Sequence, residues 1–261
     1  MNFGALKEID EPRIFTPPQG LILGPQKRIA GPEENVQLIE DPAVLRDTVK
    51  DLITRWFETT GQSIYFLSLD GIAGSGKTTL CEMIDDIVAQ MNVNLKVHPF
   101  ALDDFIATDR DDPMRTMMTQ SPELFWIWFY SKSQALKTLT DVSRINGEGG
   151  KIDIERKYNR SLGKVGPGSI EIPKGRKIVL IEGVNATEIA NMIPENPDCS
   201  LLKMLFMVDP AVALKRASIR DALQGRRNPK ESEKYRTDEY RHMVPKVFGK
   251  NAFDTDIIFT G

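Results

Sequence analysis

Glycine, lysine and threonine recur at the spacing GxxxxGKT from Gly71 to Thr78, between an apolar run and an amphipathic one. Binding a pyrophosphate requires several converging N–H donors, and glycines let the backbone curl closely enough to supply them. The lysine of such a loop reaches the β- and γ-phosphates, and the threonine hydroxyl ligates Mg²⁺. The spacing therefore predicts a nucleoside triphosphate bound by Gly71, Ala73, Gly74, Ser75, Gly76, Lys77, Thr78 and Thr79.

A chance glycine turn before a helix is the alternative to a nucleotide-binding loop. Such a match arises in about one per cent of chains of this size, and the strand and helix that the loop requires are both predicted here. Nucleotide binding is therefore favoured, but the loop alone does not separate a kinase from a motor, a GTPase-like switch or a binding module.

Carboxylates follow two further apolar runs. Asp103 and Asp104 end HPFALDDF, and Glu182 ends the strand pattern of KIVLIEGV. Ligands of open parallel sheets bind at the carboxyl ends of the strands, where these side chains are expected. An acid after the first run can accept the proton of an attacking hydroxyl, and Glu182 can bind Mg²⁺ directly or through water. A helix cap or a solvated turn is the alternative for the aspartates.

The segment DPAVALKRASIRDALQGRRNP carries more arginine than the end of a helix requires. Arg216 and Arg220 lie four residues apart on one face of the predicted helix, and Arg226 and Arg227 follow at its glycine-marked end. Guanidinium groups so placed suit a mobile lid that neutralises charge on a transferring phosphoryl group and excludes water. A solvated basic face is the alternative.

Short β-rich runs alternate with helical patterns, which predicts a three-layer α/β fold with a mainly parallel sheet covered on both faces. The predicted strands are 64–69, 93–100, 178–181, 202–208 and 257–259. Helices are expected over 41–60, 77–91, 121–139, 211–224 and about 232–247, and a hairpin or loop insertion over 146–175. These elements must bring the loop, the carboxylates and the arginines to one edge of the sheet.

Residues 1–40 hold five prolines among scattered glycines and show no sustained periodicity. They are predicted to form an irregular N-terminal extension. The length of 261 residues allows one large core, so residues 41–261 are expected to form one nucleotide-binding domain. The lid is expected within about 211–247.

The composition of 41% hydrophobic and 27% charged residues is that of a soluble globular protein. A net charge of −3 makes nucleic acid an unlikely partner, since its binding needs a clustered positive field. Two cysteines are too few for a disulfide framework. No run is long enough to span a membrane, so a cytoplasmic protein is expected, and a homo-oligomer is left open.

The order of the motifs resembles the uridine kinase and phosphoribulokinase group of P-loop small-molecule kinases, especially its uncharacterised uridine-kinase-like branch. The resemblance runs from Ser63 to the end of the sequence. It rests on GIAGSGKTT, LDDF, the YNR segment at Tyr158, IEGV and the helix pattern RxxxRDxxxGRR. It implies transfer of the γ-phosphoryl group of ATP, with Mg²⁺, to a hydroxyl of a nucleoside, sugar or related alcohol.

Site roles carry over by position. Asp103 matches the catalytic base near the metal, and Thr78 and Glu182 match the magnesium neighbours of the family, so Thr78, Asp103 and Glu182 are together expected to organise Mg²⁺. Arg216, Arg220 and Arg227 match lid positions that contact phosphates, whereas Arg226 stands where the family has glycine. The implied catalytic residues are Asp103, Lys77, Arg216, Arg220 and Arg227.

The acceptor side departs from the uridine kinases. Ile106 stands where they have an aromatic residue, and Trp126 stands where they have an aspartate that helps to bind ribose. Asp104, Tyr158 and Trp126 are the acceptor-side candidates.

Two conspicuous segments have ordinary interpretations. ELFWIWFYSKSQAL could stack a base, but Phe125, Trp128 and Phe129 also fit a helical core face, which is favoured. RDDPMR, from Arg110 to Arg115, could contact an acceptor through its charges, but a solvated loop is slightly favoured.

Two rival functions remain open at this point. One is a nucleotide-dependent switch in which ATP orders residues 1–40 for a protein partner. The other is a kinase that acts on a hydroxyl of a modified nucleobase or polymer.

Overall fold

A parallel sheet between two layers of helices forms the centre of the chain in the computed structural model, which describes residues 36–38, 42–91, 93–121, 124–125, 129–145, 147–224, 228–251 and 254–260. The elements in chain order are β1 (Val36–Leu38), α1 (Pro42–Thr60), β2 (Ile64–Gly71), α2 (Lys77–Gln90), β3 (Leu95–Ala101), a 3₁₀ turn (Leu102–Phe105), α3 (Pro113–Gln120), α4 (Lys132–Ile145), β4 (Gly150–Asn159), β5 (Lys164–Ile172), β6 (Arg176–Glu182), α5 (Ala186–Asn191), β7 (Cys199–Met207), α6 (Pro210–Leu223), α7 (Pro229–Val244), a π-helical segment (Pro245–Asn251) and β8 (Ile257–Thr260).

The main sheet has the strand order β1-β8-β7-β2-β6-β3, and every pairing in it is parallel. β2 lies inside the sheet, and all eight of its residues are buried. Its alternating side chains enter two separate cores, because Phe66 packs in one and Leu67 in the other. A strand buried on both faces reads as a nearly continuous apolar run, and the expected three-layer α/β fold is confirmed.

Each core is completed by helices from one face. Trp56 of α1 and Ile84 of α2 belong to the core on one side, and Leu139 of α4 and Met243 of α7 belong to the core on the other. The indole of Trp56 also donates a hydrogen bond to the Ser200 hydroxyl at 2.7 Å. Helix α1 is thereby fixed to the start of β7.

Three helices begin at a capping residue that is followed by proline. Asp112, Asp209 and Asn228 cap α3, α6 and α7 through side-chain oxygens that accept backbone N–H groups, and a proline follows each cap. Proline suits the first helical position because its missing N–H would have no partner there. The expectation of a solvated loop over RDDPMR is therefore wrong for its second half, which begins a helix, whereas Arg110 and Asp111 are exposed and lie outside any helix.

The predicted helix over 121–139 is also wrong in its bounds. Ile106 and Tyr130 form an isolated antiparallel bridge, so the backbone is extended where the helix was expected to continue. The N–H of Ser131 donates to the Phe105 carbonyl at 2.7 Å, and α4 begins only at Lys132. Tertiary pairing with the 3₁₀ turn outweighs the local helical pattern. The core assignment of Phe125 and Phe129 is confirmed, and Trp128 lies outside the described residues.

A two-stranded antiparallel hairpin, β4–β5, stands apart from the main sheet. It occupies the segment where a hairpin or loop insertion was predicted. Its register shifts between Ile154 and Lys157, and its tip lies between Asn159 and Lys164. The hairpin packs next to the 3₁₀ turn and α4.

The end of the expected N-terminal extension contributes β1, which pairs in parallel with β8 at the edge of the sheet. Residues 1–35 lie outside the described residues, as do 39–41. Among the described helices, none is long and apolar enough to cross a membrane. Cys81 and Cys199 are both free thiols.

Candidate active site

The loop between β2 and α2 turns tightly at the carboxyl end of β2. Gly74 has a φ of 78°, and a Cβ added there would lie 2.2 Å from the Ala213 carbonyl oxygen of α6. The glycine is therefore required both by its left-handed backbone and by the close approach of α6. The loop is held at this point against the helix that carries the predicted lid arginines.

Lys77 is buried at the start of α2, with only 7% of its surface exposed. Its ammonium donates hydrogen bonds to the Gly71 and Ile72 carbonyl oxygens, both at 2.9 Å. Burial lowers the pKa of Lys77, while the charges of Glu182 and Asp103 act in the opposite direction. Its amine is thus enclosed by the loop and oriented among carboxylates.

Thr78 and Glu182 meet at the same edge of the sheet. The Thr78 hydroxyl donates to Glu182 Oε1 at 2.8 Å, although 104 residues separate them. Hydroxyl and carboxylate oxygens are the ligands that Mg²⁺ prefers, and it is commonly held by one or two carboxylates plus phosphates and water. Among the described residues, no three His, Cys, Asp or Glu side chains form a cluster that could hold a metal ion.

Asp103 lies in the 3₁₀ turn that follows β3. Its Oδ1 accepts a hydrogen bond from the Tyr130 hydroxyl at 3.3 Å, and its Oδ2 pairs with the Arg160 guanidinium at 2.9 Å. Burial and the charge of Asp103 raise the pKa of Tyr130 well above its usual value, so this hydroxyl remains a donor. Burial disfavours the charged form of Arg160, but Asp103, Asp104 and Glu182 raise its pKa overall.

One cavity of about 620 Å³ joins these groups. Ala73, Gly74, Gly76, Lys77, Thr78 and Thr79 of the loop line it, as do Asp103, Glu182, Arg216 and Arg220. Gly71 and Ser75 are buried behind the loop, where the Ser75 hydroxyl has no hydrogen-bond partner among the described residues. The volume of the cavity falls within the roughly 300–1,000 Å³ range of small-molecule sites. Arg216 and Arg220, which were predicted to belong to a lid, thus line the same cavity as the loop, and Arg226 and Arg227 lie outside the described residues.

The acceptor-side candidates divide into three cases. Tyr158 is buried on the hairpin and lines the cavity. Asp104 pairs with Lys157 at 3.3 Å and is not among the cavity-lining residues. Trp126 lies outside the described residues.

Asp70 is a fully buried carboxylate that the sequence interpretation missed, although it directly precedes the GxxxxGKT pattern. Its oxygens accept hydrogen bonds from the N–H groups of Gly71, Asn185 and Thr187 and from the Asn251 side-chain amide, at 2.7 to 3.1 Å. Burial raises its pKa, whereas these bonds and the charge of Lys77 lower it. Asp70 joins the loop to the segment after Glu182 and to the π-helical segment.

A second missed network joins α6 to α7. Asp221 is fully buried and accepts hydrogen bonds from the Arg236 guanidinium at 2.9 to 3.2 Å, and Arg236 also contacts Glu239 at 2.5 Å. Burial would raise the pKa of Asp221, but Arg236 holds it below the usual value. Tyr240 of α7 donates a hydrogen bond to the Ala73 carbonyl of the loop. These contacts fix the arginine-bearing helix relative to the nucleotide loop.

These features define a three-layer α/β P-loop fold with its candidate site at the carboxyl ends of β2, β6 and β3. No protein-family model matches the sequence, and no curated protein sequence matches it.

Solved structures share the fold. A possible uridine kinase from Bacillus stearothermophilus is 15% identical, with a TM-score of 0.50 over 83% of this chain and 99% of that one. A candidate fructose transport system kinase from Silicibacter sp. TM1040 is 14% identical, with a TM-score of 0.55 over 83% and 98%. YFH7 from Saccharomyces cerevisiae is 14% identical, with a TM-score of 0.51 over 85% and 98%. The protein has the fold of these P-loop kinases.

Proposed function

We propose that the protein is an ATP- and Mg²⁺-dependent phosphotransferase that moves the γ-phosphoryl group to a hydroxyl of a small molecule. The observation that carries this proposal is the convergence of Lys77, the Thr78–Glu182 pair and Asp103 on one cavity. A nucleotide-binding module needs a phosphate loop, but it does not need a carboxylate such as Asp103 in the same cavity. The shared fold with kinases agrees with this assignment.

The donor half of the proposed reaction uses the loop and the lid. The backbone N–H groups at the start of α2 and the Lys77 ammonium bind the nucleotide phosphates. Thr78 and Glu182 hold Mg²⁺, which when bound neutralises charge on the phosphate oxygens. Arg216 and Arg220 face the cavity from α6 and stabilise the charge of the transferring group.

The acceptor half is organised around Asp103. Its carboxylate orients the acceptor hydroxyl and accepts its proton, while the oxygen attacks the γ-phosphorus and the bond to the β,γ-bridging oxygen breaks. The Tyr130 hydroxyl and the Arg160 guanidinium fix the orientation of Asp103. Proximity of the two bound reactants supplies much of the rate increase in transfers of this kind.

The proposal is tested by measuring ADP formation from ATP and MgCl₂ with nucleosides, sugars, sugar phosphates, polyols, hydroxy acids and vitamin alcohols. We expect acceptor-dependent ADP formation and a phosphorylated product with at least one class. Lys77→Ala is expected to reduce the rate by about 10²- to 10³-fold, the range found on removing one transition-state donor. Lys137→Ala, an exposed lysine on α4, is the matched control. ATP binding without transfer to any acceptor would instead support the nucleotide-dependent switch.

A further inference from the structure

Arg115, in the first turn of α3, lines the cavity. Its guanidinium lies 5.5 Å from the centre of the Phe129 ring and 5.0 Å from that of Tyr158, and it donates a hydrogen bond to the Tyr158 hydroxyl at 2.9 Å. Among the described residues, no carboxylate is within ion-pair distance of it. A positioned guanidinium with further N–H donors and no anionic partner is suited to binding an anion.

Two more arginines approach the same region from neighbouring segments. Arg110 lines the cavity and donates to the Arg160 carbonyl, and Arg160 lines it beside Asp103. Gly163 makes this arrangement sterically feasible, because a Cβ there would lie 3.0 Å from the Arg110 side chain. Three guanidinium groups therefore line this cavity, and among the described residues only Arg160 of the three pairs with a carboxylate, Asp103.

The nearby acidic residues do not neutralise this excess. Asp109 and Asp111 both pair with Lys164, at 3.3 and 2.8 Å, and Asp104 pairs with Lys157 at 3.3 Å. The ion pairs of Asp109 and Asp111 with Lys164 also hold the segment before α3 against the hairpin. The Val165 N–H adds a hydrogen bond to Asp109 at 2.7 Å. The arginines are thus held on a preorganised wall, which reduces the entropy lost when they bind a ligand.

We propose that the acceptor carries an anionic group, a phosphate monoester or a carboxylate, in addition to the hydroxyl that is phosphorylated. Arg115 binds this group, and Arg110 and Arg160 complete its charge neutralisation. The inference rests on the proposed phosphotransferase function and names the class of its acceptor. The Phe129 and Tyr158 rings contribute by positioning Arg115.

The test separates the anion site from the nucleotide site. The protein is first saturated with Mg²⁺ and the non-hydrolysable analogue AMP-PNP, so that the loop and lid arginines are occupied. It is then titrated calorimetrically with inorganic phosphate in one arm and with acetate in another. We expect one saturable site for at least one of these anions, and the tighter anion distinguishes a phosphate monoester from a carboxylate.

Variants assign that site. Arg115→Gln is expected to weaken anion binding at least about tenfold and to change AMP-PNP affinity less than about twofold. Arg115→Lys keeps the positive charge but loses the planar guanidinium group, so we expect its loss of anion affinity to be smaller than that of Arg115→Gln. Arg115→Lys also serves as the test variant if Arg115→Gln does not fold. Arg144→Gln, at an exposed arginine paired with Asp141 on α4, is the matched control and is expected to change neither affinity.

The outcomes are distinguishable. Binding of AMP-PNP without a saturable anion site, or with a site that Arg115→Gln and Arg115→Lys leave intact, would overturn the inference alone. Failure of the wild-type protein to bind AMP-PNP would overturn the proposed function and this inference with it.

Discussion

Individual residues of the site owe their positions to partners distant in sequence. Thr78 meets Glu182, and Asp103 is held by Tyr130 and Arg160, so that each proposed role depends on side chains from at least two elements. The sequence predicted that Thr78, Glu182 and Asp103 lie near one edge of the sheet, because each follows a recognisable strand pattern, and all three line one cavity. The sequence did not identify Tyr130, whose approach to Asp103 follows from the unexpected bridge to Ile106.

Asp70 gives a prediction at the residue scale. Asp70→Asn keeps the shape of the side chain but replaces one acceptor oxygen with a donor, which leaves buried N–H groups of its network without a partner. Leaving a buried polar group unsatisfied costs about 1–3 kcal/mol, so we expect a loss of that size in the free energy of unfolding, measured by urea denaturation. If both the unfolding free energy and the rate of phosphoryl transfer were unchanged, Asp70 would not be needed to hold the loop against the segment after Glu182.

At the scale of elements, the order of strands and helices was predictable because apolar runs and helical periodicity alternate along the chain. Helix α3 was missed even though Asp112 and Pro113 form a cap and first-turn signal. The charges of RDDPMR were interpreted as solvated, but Arg110 and Arg115 line the cavity, where Arg115 packs against Phe129 and Tyr158. Long-range packing of this kind leaves no local pattern in a single sequence.

The junction of α6 and α7 gives a prediction at the element scale. Asp221→Asn removes the buried negative charge that Arg236 faces. Removing one partner of a buried ion pair costs about 3–5 kcal/mol of unfolding free energy. The loss should be smaller here, because Arg236 retains its ion pair with Glu239. The pKa of Asp221 in the folded state lies below its ordinary value of 3.8. The stability that the charged Asp221 contributes is therefore fully present above pH 3.8 and is lost as the pH falls through the folded-state pKa.

The unfolding free energies of the wild type and Asp221→Asn should therefore differ at pH 7 and converge in acid, as measured by urea denaturation across pH 2.5–7. A difference that persists unchanged at the acid end would show that Asp221 acts through shape and not through charge. Asp141→Asn, on the surface of α4, is the control and should show little difference at any pH.

At the scale of the whole molecule, the site lies where β2, β6 and β3 end and where α6, α7 and the hairpin meet. Ligand binding there should hold several elements together. A ligand that binds only the folded state at 100 times its Kd stabilises it by about 2.7 kcal/mol. We expect AMP-PNP with MgCl₂ to raise Tm by about 5–10 °C, given the size of the chain.

The effect of the metal is measured by repeating the Tm experiment without Mg²⁺. With EDTA in place of MgCl₂, the rise in Tm should shrink, because Thr78 and Glu182 are proposed to hold the nucleotide-associated Mg²⁺. Thr78→Val should make the rise in Tm largely independent of MgCl₂. A rise that is equal with and without Mg²⁺ in the wild type would contradict the proposed metal site.

Asp103 is proposed to act on the acceptor hydroxyl while the loop holds the nucleotide. The most direct test of this role compares AMP-PNP affinity and the rate of phosphoryl transfer in the wild type, in Asp103→Asn and in the exposed control Asp153→Asn. We predict that Asp103→Asn binds AMP-PNP within about twofold of the wild type and transfers phosphate about 10²- to 10⁴-fold more slowly, the range for loss of a general base. An Asp103→Asn protein with wild-type transfer would contradict the account.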